Sequence, residues 1–421
     1  MEKEVDKGRD LYRDHKTQQG AQRVIDSFPF CSKTRAMRPK VPPDYPDDAI
    51  PEPLHKGRGA LSNETSRYDT EKRIRTTDGW EQGGSPDPAD DEDLPPLRTT
   101  LTRDATRTIL ARNTSPDIPF DRSINPYRGC EHGCIYCFAR PTHAYLGLSP
   151  GLDFETRILF KPEAAKLLSA ELASPKYRCD VIAMGTNTDP YQPVERELKV
   201  TRQILRVLSD FNNPVGIVTK NHLITRDIDI LADMAKRNLA EVFLSVTTLD
   251  RDLARTMEPR ASTPRKRLDA IRLLSQAGIP TGVMSAPMIP GLNDHEMEAI
   301  LEASRDAGAT RAGYTVLRLP LEIKELFEEW LRVNRPDRAE RVLSLIRQMR
   351  GGALYQAEFG TRMKGEGPIA QLLSARFAAA VKRLDLNRVR YRLDTLRFSV
   401  PESARTALVD AKRDSRQMRL L

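Results

Sequence analysis

Short apolar runs alternate with longer amphipathic stretches between about residues 118 and 318, and this alternation restricts the fold more than any other feature of the chain. The apolar runs are continuous stretches of Val, Ile, Leu and Met, which is typical of parallel strands buried on both faces. Repeated strand–helix units form either a barrel or an open, doubly wound sheet. About six units follow one another without a topological break, so we predict an α/β fold that is a barrel or part of one.

The predicted strands and helices follow from the period of the apolar residues and from capping residues. The strands are predicted at SINPYR (123–128), FETRILF (154–160), CDVIAMG (179–185), NPVGIVTK (213–220), EVFLSVTT (241–248), PTGVMSAPM (280–288) and RAGYTVLR (311–318). The helices are predicted at 162–172, 195–211, 227–238, 263–278 and 294–308. Polar side chains follow several strands, and in a barrel the loops after the strands carry the chemistry, so we expect the functional site there.

Three of the five cysteines lie within eight residues, in the motif Cys130-Glu-His-Gly-Cys134-Ile-Tyr-Cys137. Iron–sulfur clusters are held by cysteine thiolates, and a 4Fe–4S cube has four iron corners. Three closely spaced cysteines bind three corners and leave the fourth iron open to a small ligand, such as the amino and carboxylate groups of S-adenosylmethionine. Reductive cleavage of that cofactor gives a 5′-deoxyadenosyl radical, which takes a hydrogen atom from a substrate. The motif therefore predicts a 4Fe–4S cluster and S-adenosylmethionine as cofactors.

The three cysteines also allow other interpretations, which the sequence leaves open. A structural zinc site needs four protein ligands, and His132 or His143 is available to complete a Cys3His set. A cluster that serves only electron transfer needs a fourth cysteine, for which Cys179 is the nearest candidate. Buried, unreactive cysteines are the third alternative, but such cysteines do not need this spacing or the intervening Gly133.

The net charge of +8 falls almost entirely on the stretch 376–421, which has 12 Lys and Arg against 5 Asp and Glu. This excess predicts either a contact with nucleic acid phosphates or an amphipathic segment that closes the barrel, and we favour closure. The first residues, MEKEVDKGRDLYRDHK, contain no apolar segment of the kind that a signal peptide needs. No apolar stretch reaches the roughly 18 residues of a membrane span, so we expect a soluble, cytoplasmic protein.

Composition divides the chain into three parts. Residues 1–115 are rich in proline and charge, as in MRPKVPPDYPDDAIPEP (37–53), and are predicted to be a largely disordered, flexible segment. The island KGRGALSNETSRYD (56–69) differs from its surroundings, because its Gly, Arg and Asn suit it to docking on the rest of the chain. Residues 116–335 are predicted to be the core domain and residues 336–421 a helical, basic C-terminal extension.

The cysteine motif after a first strand, together with polar stretches after the later strands, resembles the radical S-adenosylmethionine superfamily. Within it, the chain is similar to the spore photoproduct lyase-like branch, also called DNA repair photolyase-like proteins. The resemblance covers about residues 120–330. It rests on Cys-x3-Cys-x2-Cys, TNTD (186–189), TKN (219–221), LSV (244–246), MEPRAST (257–263) and SAPMIPG (285–291). It implies a partial (β/α)6 barrel of the TIM type that is open on one side.

The resemblance also implies roles for individual residues. Cys130, Cys134 and Cys137 correspond to the ligands of the cluster. Six further residues correspond to contacts with S-adenosylmethionine. They are Tyr136 and Phe138 beside the adenine, Lys220 at the methionine carboxylate, and Thr188, Ser245 and Ala286 as further polar or backbone contacts. No residue is predicted to act on the substrate itself.

Two positions depart from spore photoproduct lyase itself. That enzyme returns a hydrogen atom from a cysteine just before its polar stretch, and the matching residue here is Thr186, whose hydroxyl is a poor hydrogen-atom donor. The tyrosine that follows its last cluster cysteine is Phe138 here, which has no hydroxyl group. Cys179 is a doubtful substitute, because it lies at the other end of the predicted strand. The reaction of that lyase is therefore not predicted for this chain.

The expected function is reductive cleavage of S-adenosylmethionine and hydrogen abstraction from an unassigned substrate, with nucleic acid as a candidate partner. An external electron donor similar to flavodoxin or ferredoxin is expected, and no membrane partner. The alternative is a nucleic-acid-binding protein that zinc or a cluster stabilises, without radical chemistry.

Overall fold

A computed structural model describes residues 55–69, 97–389 and 392–406. Most of the segment predicted to be disordered, and the end of the basic C-terminal stretch, lie outside these ranges. Residues 56–69 are docked on the rest of the chain, as the composition of this island suggests. Gly59 and Ala60, for example, both donate backbone hydrogen bonds to the carboxylate of Glu155.

The described residues form ten β-strands. They are β1 (Thr100–Arg103), β2 (Leu110–Arg112), β3 (Arg122–Ile124), β4 (Tyr127–Arg128), β5 (Arg157–Phe160), β6 (Ile182–Met184), β7 (Val215–Thr219), β8 (Ala240–Ser245), β9 (Thr281–Met288) and β10 (Arg311–Val316). The main sheet has seven strands in the order β10-β9-β8-β7-β6-β3-β2. Every neighbouring pair from β3 to β10 is parallel, and β2 is antiparallel to β3 at the edge.

The order of the parallel strands never reverses between β3 and β10. A doubly wound sheet reverses at a switch point, whereas a barrel adds each strand on the same side. The six parallel strands therefore wind in one direction, and no ladder joins β3 to β10 within the described ranges. The predicted fold class, a partial (β/α)6 barrel, is confirmed.

Helices connect the strands, and most begin and end within a few residues of their predicted bounds. They are α1 (Leu152–Thr156), α2 (Ala164–Leu172), α3 (Glu195–Leu198), α4 (Val200–Asp210), α5 (Ile228–Lys236), α6 (Arg251–Met257), α7 (Pro264–Gln276) and α8 (Met297–Asp306). The single helix predicted over 195–211 is wrong, because Lys199 has a φ of 52° and separates α3 from α4. A left-handed residue of this kind commonly ends a helix.

The strand predicted over 154–160 is wrong in its first half and in the sheet it joins. Residues 154–156 belong to α1, and β5 begins at Arg157. β5 pairs parallel with β1 and antiparallel with β4 in a separate three-stranded sheet. All four residues of β1 are exposed, so no apolar period in its sequence identifies it as the partner of β5.

The core of the barrel contains the apolar residues of the parallel strands. Ile182, Ile217, Val242, Leu244 and Val283 are all 0% exposed. Burying a side chain of this size contributes about 1.5–3 kcal/mol, so these strands hold the sheet firmly. The carboxyl ends of the strands, where the polar stretches begin, are therefore fixed relative to one another.

The last helix of the predicted core domain is α9 (Ile323–Asn334), and the predicted C-terminal extension contains α10 (Ala339–Gln348) and α11 (Gly367–Arg383). After α11, the Asn387 side chain accepts from the N–H of Ala312 and donates to its carbonyl, both at 2.9 Å. Asn387 thereby covers the open edge of β10, which would otherwise present unpaired backbone groups. None of the helices in the described ranges is long and apolar enough to cross a bilayer.

One loop of the extension bridges the two edges of the main sheet. The carbonyl of Met363 accepts from the N–H of Val316 at the end of β10. The neighbouring Arg362 pairs with Asp117 at 2.6 Å, in the turn between β2 and β3. Within the described ranges, this loop therefore spans the side on which the barrel has no strand ladder. It precedes the basic stretch 376–421, for which we favour closure.

Candidate cofactor site

The three cysteines lie on one tight loop, the cysteine loop (residues 129–139), which follows β4. The N–H of Cys130 donates to the carbonyl of Phe154 at 2.9 Å, and the N–H of Cys137 donates to the carbonyl of Cys134 at 3.1 Å. All three thiols are free. Cys130 and Cys134 are only 7% and 8% exposed, so the loop presents its thiols to a site that is largely shielded from water.

Burial raises the pKa of all three thiols, because a thiolate loses its hydration there. The carboxylate of Asp189 contributes to the raised pKa of Cys130, and that of Glu258 contributes to the pKa of Cys134, which reaches about 12. Charge on Cys137 also raises the pKa of the other two thiols. Cationic iron is the kind of partner that stabilises thiolates in such a setting.

A single zinc ion and an iron–sulfur cluster require different placements of their ligands. Among the residues that the structure describes, no three His, Cys, Asp or Glu side chains converge on one metal position. A cube places each thiolate on a different iron atom and needs no such convergence. Both histidines of the zinc interpretation have other contacts: His132 lies 3.4 Å from Asp189 and 3.0 Å from Asn221, and His143 lies 3.0 Å from the carbonyl of Arg157.

Lys220 follows β7 and lies beside the cysteine loop. Its Nζ is 5.6 Å from the centre of the Tyr136 ring. Within the described part of the chain, the Lys220 ammonium has neither a carboxylate at ion-pair distance nor a hydrogen-bond acceptor. An ammonium group in this position is suited to binding the carboxylate of a ligand.

A buried network joins Tyr136 to the end of β8. The hydroxyl of Tyr136 donates to Glu258 and lies 3.2 Å from the hydroxyl of Thr247. Glu258 and Arg267 form an ion pair in which both side chains are at most 1% exposed. Burial opposes ionisation of Glu258, but the Arg267 guanidinium lowers the pKa of that carboxyl below its usual value. Because Arg267 also donates to the carbonyl of Ser245 at 3.0 Å, the network ties the cysteine loop to the barrel.

Ser245 and Ala286 lie side by side at the ends of β8 and β9. The hydroxyl of Ser245 donates to the carbonyl of Ala286 at 3.1 Å. The hydroxyl of Thr247, which has one proton to donate, lies 3.1 Å from the same carbonyl and 2.8 Å from Glu258.

Thr188 and Asp189 follow β6 on the other side of Lys220. The hydroxyl of Thr188 donates to the carbonyl of Tyr127 at 3.1 Å, so it faces the strand before the cysteine loop. Asp189 accepts from the N–H of Lys220 at 2.8 Å and lies 3.4 Å from His132. Although Asp189 is buried, the adjacent His132 lowers its pKa to about 2. Asp189 thus connects the ends of β6 and β7 to the cysteine loop.

Phe138 lies apart from the network around Tyr136. Its side chain is 44% exposed, and the guanidinium of Arg318, which follows β10, lies 5.1 Å from the centre of its ring. The structure therefore brings Tyr136, Lys220, Ser245 and Ala286 together. It places Thr188 and Phe138 at two separate margins of the same end of the barrel.

Three charged residues of this site are missing from the predicted site residues: Asp189, which is 10% exposed, and the buried Glu258 and Arg267. The first two lie in the stretches TNTD and MEPRAST, which the family resemblance includes, so their positions gave a signal. Their hydrogen-bond partners could not be predicted, because Glu258 and Tyr136 are 122 positions apart in the sequence. An acidic residue after a strand more often caps the following helix than joins such a network.

Comparisons with known proteins bear on the same region. The family model described as "Radical SAM superfamily" matches residues 124–303, which include the cysteine loop and every strand from β4 to β9. An uncharacterized protein of Mycobacterium tuberculosis (strain ATCC 25618 / H37Rv) is 38% identical over 235 residues, which are 55% of this chain and 68% of that protein. An uncharacterized protein of Methanocaldococcus jannaschii is 30% identical over 173 residues, or 41% and 62% of the two chains.

Among solved structures, spore photoproduct lyase complexed with dinucleoside spore photoproduct is similar, with a TM-score of 0.48 and 15% sequence identity. This similarity covers 68% of the present chain and 79% of the other. A Streptococcus suis protein, SuiB, bound to S-adenosylmethionine matches at a TM-score of 0.31 and 13% identity, over 49% and 38% of the two chains.

Proposed function

Because the chain belongs to the radical S-adenosylmethionine superfamily and is an enzyme of that type, we propose that Cys130, Cys134 and Cys137 hold its iron–sulfur cluster as a 4Fe–4S cube. Membership implies that the enzyme uses S-adenosylmethionine together with such a cluster. When bound, the cluster supplies the electron for reductive cleavage of S-adenosylmethionine to a 5′-deoxyadenosyl radical that abstracts hydrogen from a substrate. Three thiols on one loop leave one iron corner of the cube without a protein ligand.

The observation that carries this proposal is the ammonium of Lys220 beside the cysteine loop, which has no carboxylate at ion-pair distance among the residues that the structure describes. In the proposal, Lys220 binds the carboxylate of S-adenosylmethionine. Tyr136 supports Lys220 through its ring face, and the hydroxyl of Tyr136 is anchored on Glu258, so the ring keeps its orientation. Further contacts with the cofactor are proposed for Phe138, Thr188, Ser245 and Ala286.

Anaerobic reconstitution of the full chain with iron and sulfide tests the proposal. We expect brown protein with about four iron atoms per chain, as a single cube requires. Reduction with dithionite in the presence of S-adenosylmethionine is expected to release 5′-deoxyadenosine, which mass spectrometry detects. Colourless protein that binds one zinc ion and forms no 5′-deoxyadenosine would contradict the proposal and favour a metal-stabilised nucleic-acid-binding protein.

Lys220→Met is expected to weaken the binding of S-adenosylmethionine by about 10–100-fold, because a hydrogen bond to a charged group contributes about 1.5–3 kcal/mol. Equilibrium dialysis against the reconstituted protein measures this affinity. Lys236→Met, at an exposed position near the end of α5, is the control and is expected to bind as the wild type does. Unchanged affinity in Lys220→Met would remove Lys220 from the site.

A partner is proposed as the source of the electron, since these 421 residues have two cysteines outside the cysteine loop, Cys31 and Cys179. Two cysteines are too few for a second cube. In the structure, Cys179 contacts Asn213 at 3.5 Å, before β6 begins. We therefore propose an external donor similar to flavodoxin or ferredoxin.

Nucleic acid is the substrate class that we propose to test first, on the basis of the net charge of +8. The basic stretch itself gives limited support, since several of its described arginines already have acidic partners. These pairs are Arg376–Glu298, Arg383–Glu302, Arg388–Asp385 and Arg397–Asp394. If nucleic acid binds, its affinity is expected to fall by at least about tenfold between roughly 50 and 200 mM salt. Oligonucleotide anisotropy measures this, and the absence of salt-dependent binding would exclude this class.

A further inference from the structure

The island at residues 56–69, which we call the clasp, touches the cysteine loop with its backbone. A Cβ atom added to Gly59 would lie 1.8 Å from the carbonyl oxygen of Gly133, in the middle of the cysteine loop. A Cβ atom added to Gly133, whose φ is +66°, would lie 2.6 Å from the carboxylate of Glu155. The two glycines therefore allow an approach that no other residue permits.

Glu155 links the clasp to the backbone of a cysteine. Its carboxylate accepts from the N–H groups of Gly59 and Ala60 at 3.0 and 2.8 Å. The same carboxylate pairs with Arg140, and both side chains are 0% exposed. The Nε of Arg140 in turn donates to the carbonyl of Cys134 at 2.9 Å. A continuous chain of buried hydrogen bonds thus runs from the clasp to Cys134.

Arg58 links the clasp to the other end of the cysteine loop. It donates to the carbonyl of Glu155 at 2.9 Å and to the hydroxyl of Thr99 at 3.3 Å. The hydroxyl of Thr99 donates to Glu131 at 2.5 Å, next to Cys130 in the chain. The clasp therefore supports the cysteine loop at both Cys130 and Cys134.

The clasp also covers the apolar side of the cysteine loop. Ala60 is 1% exposed and belongs to the same apolar cluster as Cys134, Ile135, Tyr136 and Leu152. Removing this cover would expose the Cys134 side of the loop to water. Solvent exposure is one of the factors that set the stability and potential of a bound cluster.

We propose that the clasp is a positioning element of the iron–sulfur site, with Gly59 of the clasp and its hydrogen-bond partner Glu155 of α1 as the positioning residues. It holds the cysteine loop in the conformation that receives the cluster and keeps water from the side of Cys134. The clasp lies outside residues 124–303, which the superfamily model matches, whereas Glu155 lies inside them. The inference rests on the proposed function, because it takes the cysteine loop as the cluster site.

Thiol labelling of the full chain without iron tests the positioning role. We expect Gly59→Ala and Glu155→Gln each to speed the alkylation of Cys130 and Cys134 by roughly tenfold, as loss of buried hydrogen bonds opens the loop locally. Mass spectrometry of the peptides separates these thiols from Cys179, which is half-buried and serves as the internal reference. The relative rate therefore distinguishes a local opening from global unfolding.

Loss of iron to a chelator gives a second measurement in reconstituted protein. The two clasp variants are expected to lose the cluster about 10–100-fold faster than the wild type, the usual range for residues that support metal ligands. The EPR spectrum of the reduced cluster is expected to change in both. Asp227→Asn is the matched control, since Asp227 is equally buried and paired with Arg202 and Arg226 away from the cysteine loop. It should destabilise the fold and leave the EPR spectrum unchanged.

Two results would overturn the inference. In one, Cys130 and Cys134 are alkylated at the wild-type rate in both clasp variants. In the other, Cys179 is accelerated in parallel with them, which means that the clasp stabilises the whole fold and not the loop. The labelling does not require a cluster, so it is answered even if the wild type fails to bind iron, a result that would contradict the proposed function alone.

Discussion

Cys134→Ser is expected to lose the cluster and to reduce the formation of 5′-deoxyadenosine at least about 1000-fold, equivalent to about 4 kcal/mol of lost stabilisation. Iron binds a thiolate, and a serine hydroxyl does not replace it as a ligand. Cys134 belongs to an apolar cluster that also contains Ala60 and Ile135. Iron analysis after anaerobic reconstitution and mass spectrometry of the reaction products measure both effects.

Cys179→Ser is the matched control for this prediction. Cys179 is a half-buried thiol before β6, and its Sγ contacts Asn213. This variant is expected to keep its iron and to form 5′-deoxyadenosine as the wild type does. If Cys179→Ser loses the cluster, Cys179 is a fourth ligand and the electron-transfer alternative is favoured. If Cys134→Ser keeps both iron and activity, the assignment of the cluster to the cysteine loop is wrong.

Arg267→Met is expected to lower the free energy of unfolding by about 3–5 kcal/mol, because it leaves a buried carboxylate without its counter-charge. Glu258 is fully buried, and its remaining partners would be the hydroxyls of Tyr136 and Thr247. The variant also removes the hydrogen bond to the carbonyl of Ser245. Equilibrium unfolding in urea, followed by circular dichroism, measures the loss.

Two further variants isolate the contribution of the buried pair. Arg272→Met removes an arginine from the same helix, α7, whose pair with Asp269 is largely exposed, and it should cost less than about 1 kcal/mol. The double variant Glu258→Leu with Arg267→Met removes both charges and is expected to recover much of the loss. An Arg267→Met protein as stable as Arg272→Met would show that the pair does not hold the cysteine loop to the barrel.

The barrel could be predicted because the sequence signals of its strands and helices lie within the strands and helices themselves. Each buried strand, such as β8 or β9, is a short apolar run, and each following helix has its own apolar period and caps. The error at 154–160 has a different origin. β5 looks like another barrel strand, but its partner β1 is fully exposed and carries no apolar pattern. Which sheet a strand joins depends on contacts that its own residues do not encode.

In the candidate site, too, local patterns could be recognised in the sequence and long-range contacts could not. The prediction for the three cysteines rests on their spacing, and the prediction for Lys220 rests on the family resemblance. The role of Glu155 could not be predicted, because its partner Gly59 is 96 positions away in the sequence. Its other partner, Arg140, is buried, whereas an arginine is usually expected on the surface. The role of the clasp follows only from the fold, in which the backbones of Gly59 and Gly133 come into close contact.

The clasp also reaches α9, and this has a consequence for how the enzyme matures in the cell. Ser62 donates to Glu329, and Arg67 pairs with Glu322, partners that are synthesised 267 and 255 residues later. Chains begin to fold while they emerge from the ribosome, but the cysteine loop emerges long before α9 exists to secure the clasp. Iron delivered to the nascent chain would therefore reach a cysteine loop that the clasp does not yet hold in place. Cluster insertion is expected to follow translation. Prematurely terminated chains that lack α9 are expected not to acquire iron.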